Sequence, residues 1–424
     1  MTVDEIYLEY VTLMNSDKID NNQKRKLISM MEEYYFKECD KHIDIDNVEE
    51  VNILIDYVAS KCRYRILSYL VSEHIETLYV DDKGNENLFI KENIIPIIYN
   101  IYDELLEKIK GMKSIDLSNY EVPSKGKVNE KIIDVLEKID PSLDCLFRFA
   151  NLLDSSNGEG IVYLDELSLS MQKQILSLKN SNCALDEGRV FTICLTEGKR
   201  FLVVDYEKNM SDVTSTIHEL GHYLFPKSNI DLPLMREFSS IFYELYALNF
   251  LMNKKDEQLL IDNNRVSNLM NQISISLLIR ICIKMLLENN DKITQDVFEE
   301  KMKEEIDNHK LHISFNVNNK NVDINDNNLH RCLDYLCDYI ILLLLNFKKS
   351  NLSIALFNQY IVGTYLAICA MENKNMDDIL AKMLYCSYNM SKMNYYDIFT
   401  LVNAPVDKLE IVDGGVKGEN PPKK

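Results

Sequence analysis

Apolar residues return every three or four positions along most of this chain, the spacing that lines one face of a helix. The longest such stretches run over 47–69, 94–109, 131–153 and 266–287, and they predict a mostly helical protein. The rhythm changes once. Val190 to Leu195 and Arg200 to Tyr206 are β-prone runs joined by Thr196-Glu-Gly-Lys, and they read as a hairpin, the one small sheet of the fold. Helical spacing then resumes, with Val213, Ile217, Leu220 and Leu224 lying within about 60° of arc. Ser211 and Asp212 can cap and charge the start of this helix, and Pro226 stops it. A second helix is predicted from Asp231, with Pro233 near its first turn and Phe238, Ile241, Phe242, Leu245 and Met252 forming its apolar stripe.

Turn-forming stretches are few, because the chain holds only 12 glycines and 8 prolines. The clearest breaks are 81–87, 122–127 and 154–160. With 424 residues, 46% of them hydrophobic, the chain can bury enough core for two lobes. A division near 180 gives a helical lobe over 1–180 and a second lobe over 181–405. Residues 406–424 have almost no apolar content to fold, and a disordered tail is expected there.

Charge and cysteine usage narrow the function classes. No apolar run approaches the roughly 18 residues of a membrane span, and the N-terminus carries acid where a signal peptide carries base. Ten cysteines show no CxxC spacing and read as reduced core thiols, so a cytoplasmic protein is expected. A net charge of −20 disfavours nucleic acid and anionic membranes as partners. Solubility is the first reading of that acidity, and attraction of cationic peptides the second.

Residues 218–222 read His-Glu-Leu-Gly-His. On a helix of about 3.6 residues per turn, His218 and His222 stand one above the other, and Glu219 points about 100° round the axis. Two imidazoles can then grip one zinc ion beside a carboxylate able to take a proton from a bound water. The pattern arises by chance in roughly one such sequence in a hundred, but here both histidines lie off the apolar stripe, where packing alone would not put them. Gly221 costs the helix about 1 kcal/mol against Ala, which points to a close backbone contact at that position. A catalytic zinc site needs a third protein ligand, and Glu237 and Glu244 are the candidates. Seven residues on one helix separate them by about 10 Å, so one can touch the metal while the other orients a ligand histidine.

The run FLVVDYEKNMSDVTSTIHELGHYLFP, followed by REFSSIFYEL, resembles the M3 family of zinc metallopeptidases, most closely its oligoendopeptidase F branch. The shared order is a strand, a short loop, the HELGH helix, and a helix with the pattern Glu-x-x-Ser-x-x-x-Glu. The likeness is specific over about 190 to 250 and extends to about 405, where YLAICAMENKNMDDILAKML is similar to the closing helices of the family. The gap from His222 to Glu237 is shorter than is usual there, and much of the N-terminal portion is missing. The resemblance implies a two-lobed helical zinc metallopeptidase holding one zinc per chain. In it Glu237 joins His218 and His222 as the metal ligand, Glu244 is its companion, and Glu219 is the general base.

Two further features bear on catalysis. The hairpin edge can hold an extended peptide by main-chain hydrogen bonds, or the hairpin simply buries apolar surface. An oxyanion donor is also required. The family carries a His followed by tyrosines beyond the metal helix, and this chain offers His330, Tyr335 and Tyr339 in LHRCLDYLCDYIILLLL. On one continuous helix His330 would point about 140° away from the tyrosines, so a break after it is needed. His309 and His312 are the reserve donors, and two core tyrosines with a surface histidine are the alternative. The expected function is a zinc-dependent endopeptidase acting on oligopeptides. An aminopeptidase or other zinc hydrolase, and a non-catalytic peptide-binding relative, are the rival readings.

Overall fold

Helix dominates the computed structural model, as the spacing predicts, and the strands among the described residues form small sheets of two or three. The structure describes residues 1–14, 19–78, 101–102, 104–154, 160–182, 190–194, 200–224, 237–252, 258–270, 272–273, 294–309, 314–317, 320–323, 333–334, 337–338, 340–342, 344–345, 359–373, 375–389, 393 and 395–405. In chain order its first elements are α1 (Val3–Met14), α2 (Asn21–Cys39), α3 (Val48–Leu78), β1 (Lys113–Ile115), α4 (Lys125–Ile139), α5 (Asp144–Asp154), β2 (Gly160–Tyr163) and α6 (Leu169–Asn182). There follow β3 (Val190–Cys194), β4 (Arg200–Val204), α7 (Met210–Leu224), α8 (Phe238–Met252), β5 (Leu260–Asp262), α9 (Gln295–His309), β6 (Ser314–Val317), β7 (Lys320–Asp323), α10 (Gln359–Met371), α11 (Met376–Asn389) and α12 (Tyr395–Leu401). No helix among the described residues is long and apolar enough to cross a membrane.

The chain divides into two compact units: residues 1–86 with 274–354, and residues 87–273 with 355–424. The boundary does not fall near 180. Strand β2 pairs parallel with β4, and α4 packs on α7, so segments on both sides of 180 share one unit. In the first unit α1, α2 and α3 pack together, and the buried Arg63 of α3 binds Asp338 through Nε and Nη2 at 2.8 and 2.9 Å and Asp334 at 2.9 Å. Leu333, Cys337, Ile340, Ile341 and Leu344 are buried at helical spacing in the same unit. A buried guanidinium needs such partners, because leaving it unpaired costs several kcal/mol, of the order of 3–5.

The second unit holds the predicted hairpin, with Val190 opposite Val204 and Cys194 opposite Arg200 in antiparallel register. It is part of a three-stranded sheet in the order β2-β4-β3. Tyr163, Val190, Leu202 and Val204 pack on one face, and Leu164, Phe191 and Val203 on the other. The sheet therefore buries apolar surface on both sides. It is not the only one: β1 pairs parallel with β5, and β6 with β7 in the first unit. Strands of three or four residues are too short for an alternating pattern to declare itself, which is why sequence spacing predicts one sheet only.

Residues 131–153, read as one helical stretch, are two helices. Pro141 lacks an N–H and disfavours helical geometry in the residue before it. Leu143 takes a left-handed φ of 65°, and Asp140 accepts hydrogen bonds from the backbone N–H of Ser142 and Cys145 to open α5. The stripe read on α8 is likewise broader than predicted. Every residue from Phe238 to Asn249 is buried, because α7 and α10 both pack against this helix.

Candidate metal centre

The site begins with how α7 is anchored. Asn209 caps the helix by accepting from the Ser211 N–H at 2.9 Å, and the Asp212 carboxylate reaches back to the Asn209 N–H at 3.0 Å. This reciprocal pair satisfies two of the free donors at the helix start. Asn209, not Ser211, is therefore the cap, and Asp212 completes it. Main-chain bonds from Val122 to Lys208 and from Met210 to Tyr120 tie the same turn to the loop before α4. Pro226 and the segment 231–236, including Pro233, lie outside the described residues.

Further along α7, Gly221 meets α8 at Ser240. A Cβ on Gly221 would lie 2.7 Å from the Ser240 Cα, closer than atoms of two backbones approach, so only hydrogen fits. The close contact expected from that glycine is thus a helix crossing. Glu237 lies three residues before Ser240 and Glu244 four residues after it, so both stand on the face turned to the crossing. His218 and His222 flank Gly221 from the other side. The carbonyl of Glu237 accepts from the Ile241 N–H and from the Ser240 hydroxyl, both at 3.0 Å, which fixes the backbone at the start of α8. Gly363 of α10 backs it, since a Cβ there would sit 3.2 Å from the Glu237 carbonyl carbon and 3.1 Å from the Phe238 nitrogen.

This crossing brings three side chains to one point. Glu237 Oε2 lies 3.2 Å from His218 Nε2 and 3.2 Å from His222 Nε2, with the two rings 79° apart in plane. Tetrahedral zinc with bonds of about 2.0–2.2 Å holds neighbouring ligand atoms about 3.3 Å apart. The two separations from Glu237 match, and the ligand atoms of all three side chains lie within 4.8 Å of one another. Glu237 Oε2 is buried, yet it accepts no hydrogen bond of ordinary geometry among the described residues. Such an orphaned oxygen costs about 1–3 kcal/mol or more unless something satisfies it, and a cation held between the three side chains would do so. The same three residues form a group able to hold a metal ion.

Glu244 occupies the place behind the ligands. Its Oε2 lies 2.8 Å from His218 Nδ1. A carboxylate only accepts, so Nδ1 carries the proton and donates, and Nε2 keeps its lone pair for a metal. Arg265, in helical residues 263–270, binds Glu244 with both arms of its guanidinium, Nε to Oε1 at 3.2 Å and Nη2 to Oε2. Its Nη2 also lies 3.3 Å from His218 Nδ1. Asp262 at the end of β5 feels the same charges.

Electrostatics favour a positive charge at the centre. Burial opposes charge on His218, but the carboxylates of Glu237 and Glu244 outweigh it and drive the imidazole pKa upward. Burial also opposes charge on Glu244, and the Arg265 guanidinium, followed by His218, holds that carboxyl far below the usual range. Asp262 goes the other way: burial, reinforced by the charge of Glu244, pushes it up to about 6. The arrangement stabilises a cation between carboxylates, whether a proton or a divalent metal supplies it.

Glu219 stands on α7 next to His218 and is half-buried. His330, Tyr335, Tyr339 and His312 lie outside the described residues, as does the side chain of His309, the last residue of α9. Arg265, Asp262 and the Asn209 cap escape sequence reading. Arg265 sits 21 residues beyond Glu244 in no recognisable motif, and it arrives there because β5 is held by its pairing with β1 and by Asn249 of α8, which bonds the backbone N–H and carbonyl of Leu260. No protein-family model matches the chain, nor does any curated protein or solved structure.

Proposed function

We propose that this chain is a zinc-dependent endopeptidase that hydrolyses peptide bonds in oligopeptides. The observation that carries the reading is the convergence of His218 Nε2, His222 Nε2 and Glu237 Oε2, at separations suited to tetrahedral zinc, on a HExxH helix. One zinc per chain is expected. Bound there, zinc supplies Lewis acidity and brings the pKa of a coordinated water to about 7. Glu219 takes the proton of the attacking water on its carboxylate and delivers it to the leaving amine nitrogen. Glu244 holds the His218 ring through Nδ1 and does not touch the metal. The resemblance of residues 201–226 and 236–245 to the M3 zinc metallopeptidases supports endopeptidase chemistry and a two-lobed helical architecture. The net charge of −20 favours cationic peptides in diffusional encounter.

The test pairs metal content with cleavage of N-acetylated and free peptides, products being mapped by mass spectrometry. Wild type should carry about one zinc and cut internal bonds in both substrates, as three ligands and an open fourth position require. Glu219→Gln should retain zinc and peptide affinity while kcat falls about 10²- to 10⁴-fold. Dependence on a free N-terminus would make the protein an aminopeptidase. Binding without turnover in the zinc-loaded wild type would make it a non-catalytic binder.

A further inference from the structure

We infer that Arg265 is a positioning residue which, through Glu244, selects the metal-binding tautomer of His218. The inference rests on the metal-site reading above and goes beyond it. A guanidinium donates only, and its fork occupies both oxygens of Glu244 with Nε on Oε1 and Nη2 on Oε2. Held in this way, the carboxylate cannot rotate away from the ring, and its Oε2 stays 2.8 Å from His218 Nδ1. The proton of the neutral imidazole is thereby kept on Nδ1, and the Nε2 lone pair faces Glu237 and the metal position.

The contact of Arg265 Nη2 with His218 Nδ1 at 3.3 Å gives the arrangement its logic. Without Glu244, the polar group that the described residues leave beside Nδ1 is the Arg265 guanidinium, and a donor there calls for the opposite tautomer, with the proton on Nε2 where a metal would bind. Arg265 thus assists zinc binding only while Glu244 stands between it and the ring. Its placement is also costly to maintain. The guanidinium is well shielded, with 17% of its side chain exposed, and its fork is spent on Glu244, whose side chain is 11% exposed. A surface pair would gain little from such geometry.

The experiment measures zinc affinity of the full chain by competition with a chelating dye, alongside the melting temperature of the metal-free protein. Failure of the wild type to bind zinc would overturn the metal-site reading itself. With wild-type binding established and lost in His218→Ala, Arg265→Met and Arg265→Lys should each weaken zinc by roughly 10-fold, since such supporting partners typically contribute about 10- to 100-fold. In a Glu244→Gln background, Arg265→Met should weaken zinc no further. Wild-type affinity in both single variants overturns the positioning role, even if their melting temperatures fall, as does an additive loss in the double variant. Arg265→Lys keeps the charge and loses the fork, so it decides the matter if Arg265→Met does not fold.

Discussion

In the proposed metal centre Glu237 and Glu244, seven positions apart, have different roles, and substitution separates them. Glu237→Gln removes an anionic ligand and should strip zinc from the purified protein. Glu244→Gln leaves all three ligands in place and should weaken zinc about 10- to 100-fold. Metal analysis after dialysis distinguishes the two, and the reverse order of damage would exchange their roles. Asp262 gives a pH-dependent counterpart. Its folded pKa of about 6 lies above the usual carboxyl value, so the native state holds a proton that the unfolded chain has already released. Ionised Asp262 therefore destabilises the fold above about pH 6, and the penalty disappears as pH falls towards 4. Asp262→Asn should raise the melting temperature at pH 8 and lose that advantage near pH 4. An advantage that grew on acidification would show that the carboxyl is stabilised as an anion instead. At this scale the sequence was legible where chemistry repeats locally. The i, i+4 histidines need only helical pitch, whereas Arg265 reaches Glu244 through tertiary contacts that no local pattern announces, the clamp of Asn249 on Leu260 and the pairing of β5 with β1.

Between elements, the crossing of α7 and α8 at Gly221 sets how His218 and His222 meet Glu237. Ala is the better helix former by about 1 kcal/mol, so Gly221→Ala would stabilise α7 in isolation. In the folded protein the new Cβ meets the Ser240 backbone at 2.7 Å, and the helices must part. Overpacking of this kind costs about 1–3 kcal/mol, which exceeds the gain in propensity. A lower melting temperature and weaker zinc binding are therefore expected together, because the histidines move away from Glu237. A stabilised variant with unchanged zinc affinity would refute contact at this crossing. The glycine announced itself in sequence as a poor helix former amid good ones. The split of α4 from α5 was also written there, in Pro141, but the strong apolar period on either side masked it. The short parallel pair β1–β5 carried no comparable signal, since its partners are joined only in the folded chain.

On the scale of the whole molecule, every described residue of the candidate centre belongs to the unit formed by 87–273 and 355–424. A division near 180 also places these residues in one lobe but cuts through their unit, because periodicity reports on neighbours in sequence while β2–β4 pairing and α10–α8 packing join distant segments. Helix α10 covers α8 and, at Gly363, backs the residue just before it, Glu237. A chain ending before Gln359 contains His218, His222 and Glu237 but lacks that cover, and it should fail to retain zinc in an equilibrium metal assay. Stoichiometric zinc in the truncated chain would show that α7 and α8 suffice. The order of synthesis gives this packing a further meaning. A ribosome delivers His218, His222 and Glu237 well before α10, so the nascent chain passes through a long interval in which the three side chains exist without the helix that covers α8. The support that Gly363 gives to Glu237 is in place only once α10 has emerged and docked, so on the proposed reading a metal would be held late in synthesis.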